Sequence, residues 1–229
     1  MVLQSFIVFE GLDGSGTSTQ IKLLQEKFAS KNVWFTAEPT DKETGLFLRK
    51  MLKGEIKINP QTTAFMFATD RCEHLNGKDG VISHIEDGNL VISDRYLFSS
   101  LAYQNQECGK DLPYNLNKDF PLPEYLFFFD MNPEKSLERV FARANKTGEQ
   151  TEIYEKLDFQ KKTYQEYRKD KATALSFLKS KLPFIFSFTF FRFISTILRS
   201  TCSCHLFHLT FIHPHHLFHL CTHIFKLTS

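Results

Sequence analysis

The chain opens on a solid apolar run, SFIVF at 5–9, and similar runs recur at 32–36 (NVWFT), 89–93 (NLVIS) and 124–129 (EYLFFF). Continuous apolar stretches of this length, rather than alternating ones, mark strands buried on both faces. Between them the apolar positions change period. Ile21, Leu23, Leu24 and Phe28 predict a helix over 17–30. Further helices are predicted over 43–53, over 60–76 behind Pro60, from Phe98 onward, and from Pro133 to about 144. A polar stretch at 145–151 then leads into a long helix over about 152–178. Strands that alternate with helices predict an α/β fold with a parallel sheet covered on both faces. Ligands of such sheets bind beyond the carboxyl ends of the strands. Gly11–Gly16, Glu38–Thr40, Asp94–Tyr96 and Asp130 all fall there.

The first of these places carries the clearest chemistry. FEGLDGSGTSTQ (9–20) follows a strand and opens a helix, with Gly11 and Gly16 at the spacing of the phosphate-binding motif G-x-x-x-x-G-K-[ST]. Glycines let successive backbone N–H groups converge on an anion, and the helix adds its N-terminal dipole. Gly11, Leu12, Asp13, Gly14, Ser15, Gly16, Thr17, Ser18 and Thr19 are therefore the phosphate-binding candidates. Position 17 is Thr where the motif has Lys, so one positive charge is missing. A turn that binds nothing is the plain alternative.

Three more stretches accompany it. VISDRY (91–96) ends a strand at Asp94, placed like a Walker-B aspartate, so Ser18 and Asp94 are candidates to hold Mg²⁺. Arg95 can fork onto phosphate oxygens, or form a structural salt bridge. FMFATDR (65–71) sets Phe67 and Arg71 four residues apart on one helix face, where a ring can stack a base and a guanidinium can donate to its carbonyl. A core Phe and a surface Arg would give the same spacing.

In combination, FEGLDGSG.STQ, EPT, FATDR and DRYLFSSLAYQ closely resemble the thymidylate kinase family, over residues 5 to about 170. The resemblance implies a three-layer P-loop NTPase fold with a five-stranded parallel sheet and a lid at about 139–155. It implies transfer of a phosphoryl group from ATP to dTMP, with Mg²⁺. Phe67 would stack on thymine and Arg71 would bond its O4. Ser100 and Gln104 would meet the base edge, and Tyr103 would crowd a 2′-hydroxyl. Asp13 would meet the sugar 3′-hydroxyl. Arg49 and Arg95 would hold the dTMP phosphate, and Glu38 with Pro39 would line the acceptor side near the metal. Family members that lack the loop lysine carry arginine in the lid. Arg143 is the candidate here, with Lys146 beside it, whereas Arg139 reads as a solvated helix position. Glu152 and Glu155 would share one face of the helix after the lid. Arg95, Arg143 and Asp13 make up the catalytic set. A homodimer follows from the same resemblance.

Charge divides the chain. Residues 1–170 carry 22 Lys/Arg and 26 Asp/Glu, and residues 171–229 carry 6 Lys/Arg and no acid. The main part has no concentrated basic stripe, which argues against polymeric nucleic acid. Isolated Cys72 and Cys108 and the lack of a signal-peptide pattern predict a cytoplasmic protein. From about 181 the composition is Phe- and His-rich, and PFIFSF (183–188) is the only match to a final strand. Cys202, Cys204, His205 and His208 are suitable zinc ligands but match no common finger. The apolar stretch 182–198 is short for a membrane span and contains Arg192. The segment reads as a poorly packed tail outside a 1–180 kinase domain. Two other functions stay open: another deoxynucleotide or deoxynucleoside kinase, and a nucleotide-binding module without catalysis.

Overall fold

The computed structural model describes residues 1–148, 152–168, 208–213 and 216–218, the last two segments as backbone. Four parallel strands form the centre: β1 (Val2–Gly11), β2 (Val33–Ala37), β3 (Leu90–Asp94) and β4 (Leu122–Asp130). β1 is interior because its apolar run suits both faces. Phe6, Ile7, Val8 and Phe9 have no exposed surface. Phe6 and Val8 enter one core cluster with Leu48, Met51 and Tyr96, whereas Ile7 and Phe9 enter another with Ile21 and Leu24. Each such side chain contributes about 2 kcal/mol by leaving water.

Helices cover the two faces: α1 (Thr17–Lys27), α2 (Glu43–Leu52), α3 (Pro60–Asn76), α4 (Val81–Glu86), α5 (Leu97–Tyr103), α6 (Asn105–Cys108), α7 (Asp111–Asn117), α8 (Pro133–Thr147) and α9 (157–168). Pro60 and Pro133 do open helices. Each is preceded by an Asn cap, with Asn59 accepting from the Gln61 N–H and Asn132 from those of Glu134 and Lys135. Such a cap is worth about 1 kcal/mol. The short α4, α6 and α7 are absent from the hydrophobic pattern because one or two turns give too few periodic positions.

The sheet order is β2-β3-β1-β4-β5-β6, where β5 (His208–His213) and β6 (His216–Phe218) come from the tail. The expected five-stranded parallel sheet is therefore four parallel strands among the described residues, extended by an antiparallel pair. An apolar β4 edge offers unpaired backbone groups, and an antiparallel hairpin can take them without a crossover. The segment 183–188, expected as the last strand, lies outside the described residues. So do Cys202, Cys204 and His205. No described helix is long and apolar enough to cross a membrane.

Candidate active site

The carboxyl ends of β1, β2 and β3 open into one cavity of about 830 Å³. Its floor is the glycine loop. Gly14 and Gly16 have φ of 81° and 103°, and a Cβ on Gly14 would lie 2.3 Å from the Ser136 carbonyl oxygen. The loop thus packs directly on α8, and the Ser136 hydroxyl fastens it by donating to the Asp13 carbonyl at 2.6 Å. The Ser15 N–H closes a turn onto the Leu12 carbonyl, so it is turned away from any phosphate. The N-terminal N–H groups of α1, beginning at Thr17, lack intrahelical partners and remain for an anion. Leu12, Asp13, Gly14, Gly16, Thr17, Ser18 and Thr19 line the cavity; Gly11 and Ser15 do not. The Ser18 hydroxyl donates to Asp94 Oδ2 at 2.7 Å, which brings together the two candidate metal ligands. Asp94 Oδ1 is buried without a hydrogen-bond partner among the described residues.

The middle of the cavity is built on Arg95. Its φ is +70°, an uncommon conformation for a side-chain-bearing residue, which turns the guanidinium back over the loop. Arg95 Nη1 donates to the Gly11 carbonyl and to Ser99 Oγ, both at 3.1 Å, and Nη2 meets Asp13 Oδ1 at 2.5 Å. The other Asp13 oxygen accepts from Tyr103 Oη at 3.0 Å and from Gln160 Nε2 at 2.9 Å. Asp13 is therefore a hub joining the loop, α5 and α9. Burial, and then the Asp13 carboxylate, push the Tyr103 phenol well above its ordinary range. It stays a neutral donor.

The far end is polar but buried. Arg71 is 1% exposed and held by three side chains of the fold. Its Nε and Nη2 donate to Glu38 Oε2 at 3.0 and 2.7 Å, Nη2 also donates to Ser100 Oγ at 3.0 Å, and Nη1 donates to Asn117 Oδ1. The other Glu38 oxygen pairs with His74 Nδ1 at 3.0 Å, and His74 Nε2 meets Thr36 Oγ1 at 2.7 Å. Glu38 and Pro39 line the cavity, and Glu38 divides its oxygens between Arg71 and His74. Of the five guanidinium N–H groups, only one on Nη1 is left by these bonds. Gln104 is 2% exposed and its Oε1 has no partner among the described residues. Phe67, Arg71, Ser100 and Gln104 all line the same end of the cavity. Asp70 ties the neighbouring EPT segment to α2, accepting from Thr40 N, Thr40 Oγ1 and Thr44 Oγ1 at 2.6–2.8 Å. Arg49 donates to the Thr40 and Pro39 carbonyls and reaches the cavity from α2.

The last wall is α8 and the chain after it. Arg139 and Arg143, one helical turn apart, both line the cavity, whereas the exposed Lys146 does not. Arg139 is exposed, as a solvated position should be, yet it also lines the cavity; Lys146, seven residues on and so on nearly the same face, lies about 10 Å farther along the helix, beyond the loop. Glu152 and Glu155 precede α9 instead of sharing one of its faces. Glu155 Oε2 accepts from the Glu152 N–H at 2.9 Å, and Glu152 lines the cavity beside Tyr154. Burial, followed by the charges of Asp13 and Glu155, raises the Glu152 carboxyl. Residues 149–151 of the expected lid lie outside the described residues.

His74, Asn117, Gln160 and Tyr167 support the site without any motif that announces them, while Glu10 and Asp70 lie inside FEGLDGSG and FATDR with no role that the motif assigns. Each acts through a partner 25 or more residues away.

The thymidylate kinase family model matches residues 9–178. A protein of Treponema pallidum that carries the thymidylate kinase name is 44% identical over 167 residues, covering 72% of this chain and 78% of the relative. The thymidylate kinase of Leptospira interrogans is 38% identical over 172 residues, covering 72% and 80%. Among solved structures, the thymidylate kinase of Candida albicans aligns with a TM-score of 0.56 at 23% identity, over 72% of this chain and 76% of that one, a likeness of fold. On the match of 9–178 and these identities, the chain belongs to the thymidylate kinase family.

Proposed function

We propose that the cavity is a two-substrate site in which Arg95 stands between an acceptor pocket and a donor-phosphate loop. The reaction is that of the family: a nucleoside triphosphate phosphorylates dTMP to dTDP. The observation that carries the assignment of residues is the continuity of one cavity from Thr17 and Arg143 to Phe67, Arg71 and Gln104.

At the acceptor end, Phe67 would stack on thymine. The remaining Arg71 N–H would donate to the O4 carbonyl, and Gln104 Oε1 would accept from N3–H. A buried site with fixed donors and acceptors rejects a base that leaves them unmatched. Tyr103 and Asp13 would meet the deoxyribose, with Asp13 at the 3′-hydroxyl. Arg95 and Arg49 would hold the phosphate, and Pro39 would flank it. An oxygen of the dTMP phosphate would attack the γ-phosphorus of ATP in line. The new P–O bond forms as the bond to the β–γ bridging oxygen breaks, and ADP leaves.

At the donor end, the N–H groups at the start of α1 would cradle the phosphates. Arg143, with Arg139, would supply the charge that Thr17 lacks. Ser18 and Asp94 fit Mg²⁺, being an all-oxygen pair with one buried carboxylate oxygen unpartnered. When bound, the ion would add positive charge at the donor phosphates. Exposed Phe65 on α3 and Leu46 on α2 support a homodimer packed through these helices. Cytoplasmic residence fits the nucleotide substrates and the free thiols of Cys72 and Cys108. The catalytic domain would end near residue 180, with the remainder outside the machinery.

An acceptor panel tests the assignment. ADP release from ATP should be rapid with dTMP, reduced about tenfold or more with dUMP, and reduced at least a hundredfold with dCMP, whose exocyclic amine would face the Arg71 donor. Equal rates with dCMP and dTMP would overturn the roles of Arg71 and Gln104.

A further inference from the structure

Glu10 lies outside the cavity lining, yet it is 1% exposed and holds four donors. Oε1 accepts from the backbone N–H groups of Tyr96 and Ser99 at 2.9 and 3.1 Å. Oε2 accepts from Ser99 Oγ at 2.7 Å and from Tyr167 Oη at 2.9 Å. The two hydroxyls also touch each other at 2.9 Å. Every bond is a donation to the carboxyl group, so a proton on either oxygen would displace one donor, while burial opposes the charge and is the larger effect. The donors come from two places: the turn that follows Arg95, and α9, which follows the segment expected to act as the lid.

We infer that Glu10 is a positioning residue for Arg95, acting through Ser99, and that Tyr167 links α9 to the same carboxylate. Arg95 reaches its place by an uncommon positive φ and then depends on three acceptors: Gly11 O, Ser99 Oγ and Asp13 Oδ1. Glu10 fixes one of them directly. By accepting from Ser99 Oγ it fixes that proton's direction, so an oxygen lone pair faces Arg95 Nη1. By accepting from the N–H groups of Tyr96 and Ser99 it also pins the backbone on either side of the turn. The bonds to Gly11, Ser99 and Asp13 use three of the five Arg95 N–H groups, so a fixed guanidinium presents the remaining two in a set direction. The charged and titratable groups facing Glu10 are Arg95 and Tyr167, and the Tyr167 phenol is itself raised by burial and then by Glu10. The inference rests on the proposed role of Arg95 at the acceptor phosphate.

The test compares Glu10→Gln, Ser99→Ala and the double variant with wild type, measuring kcat/KM for dTMP, thermal unfolding and the pH profile. Each single variant should lose about tenfold or more in kcat/KM. The double should lose little beyond the worse single, since Glu10 acts through Ser99. Additive losses, or losses in unfolding temperature with kcat/KM intact, would overturn the inference. The pH profile separates positioning from a merely structural role. Burial, partly offset by Arg95 and the donors, brings the Glu10 carboxyl up to about 7. Activity should therefore fall as pH drops through that value, above the limb of the substrate phosphate near ~6. Tyr167→Phe removes one donor to the carboxylate, raises its pKa and should move the limb to higher pH. This variant also carries the test if Glu10→Gln does not fold; an unmoved limb would overturn the inference. If wild type itself makes no dTDP, the functional assignment fails instead.

Discussion

The two ends of the cavity are built on opposite principles. At the acceptor end the working groups are short of freedom. Arg71 is buried and locked by Glu38, Ser100 and Asn117, and Glu38 is itself held by His74. At the donor end the cations, Arg139 and Arg143, are exposed side chains on one helix that overhangs the loop. A base is recognised by a few neutral edges, so its partners must be fixed and dry before it arrives. Charge moving onto a leaving phosphate needs a cation in reach, and a long exposed side chain can supply it from a distance. On the proposed roles, that difference would explain how the loop can carry Thr17: the donor end would tolerate relocation of its charge, whereas the acceptor end could not relocate Arg71 without dismantling a buried network.

The sharpest break in this contrast is Arg71→Met. It removes the base donor and strands Glu38, a buried carboxylate left with His74 alone. Removal of one partner of a buried pair costs about 3–5 kcal/mol. A loss of about a thousandfold in kcat/KM for dTMP, with a clear fall in unfolding temperature, is the expected result. An effect under tenfold would mean that the network does not preorganise the site.

Glu10, between the two ends, makes a prediction about stability whose sign is fixed by linkage. Its carboxyl goes from 4.5 to about 7 on folding. A raised acid favours the fold when protonated, so this stabilisation is complete below 4.5 and is lost as pH climbs through about 7. The gap is worth about 3 kcal/mol. Measured by urea unfolding between pH 4.5 and 8, wild type should lose that much relative to Glu10→Gln, in which groups elsewhere titrate identically. A constant difference across the range would contradict the burial argument.

Smaller again is Arg143→Ala. An exposed cation that acts on the transferring group should cost about 10- to 100-fold in kcat, roughly 1.4–2.7 kcal/mol, and change dTMP affinity by less than about threefold. Calorimetric dTMP titration beside steady-state kinetics separates these. A matching loss of dTMP affinity would place Arg143 at the acceptor end and remove the contrast.

Much of this was legible in the sequence, and the reasons differ by element. The strands and the loop show because apolar runs and glycine spacing are local signals. Phe67 and Arg71 show because they share one helix face. The supports do not show. Asn117 and Arg71 are 46 residues apart and Gln160 and Asp13 are 147 apart, and only the fold brings each pair together. Arg139 and Lys146 differ at the cavity because helical spacing gives which residues share a face, not how far along the helix the loop reaches. Glu10 was hidden by its setting, since an acid in IVFEG reads as the end of a strand until the buried donors around it are seen. The antiparallel β5 and β6 come from a segment whose composition matches no element of the family.

In the proposed mechanism, charge from α8 replaces the missing loop lysine. The test is dTMP-dependent ADP release, measured on wild type and on Thr17→Lys with ATP and Mg²⁺. Wild type should turn over, and the restored lysine should change kcat by no more than about threefold. A wild type that releases no ADP with dTMP, beside a Thr17→Lys variant that does, would contradict the claim.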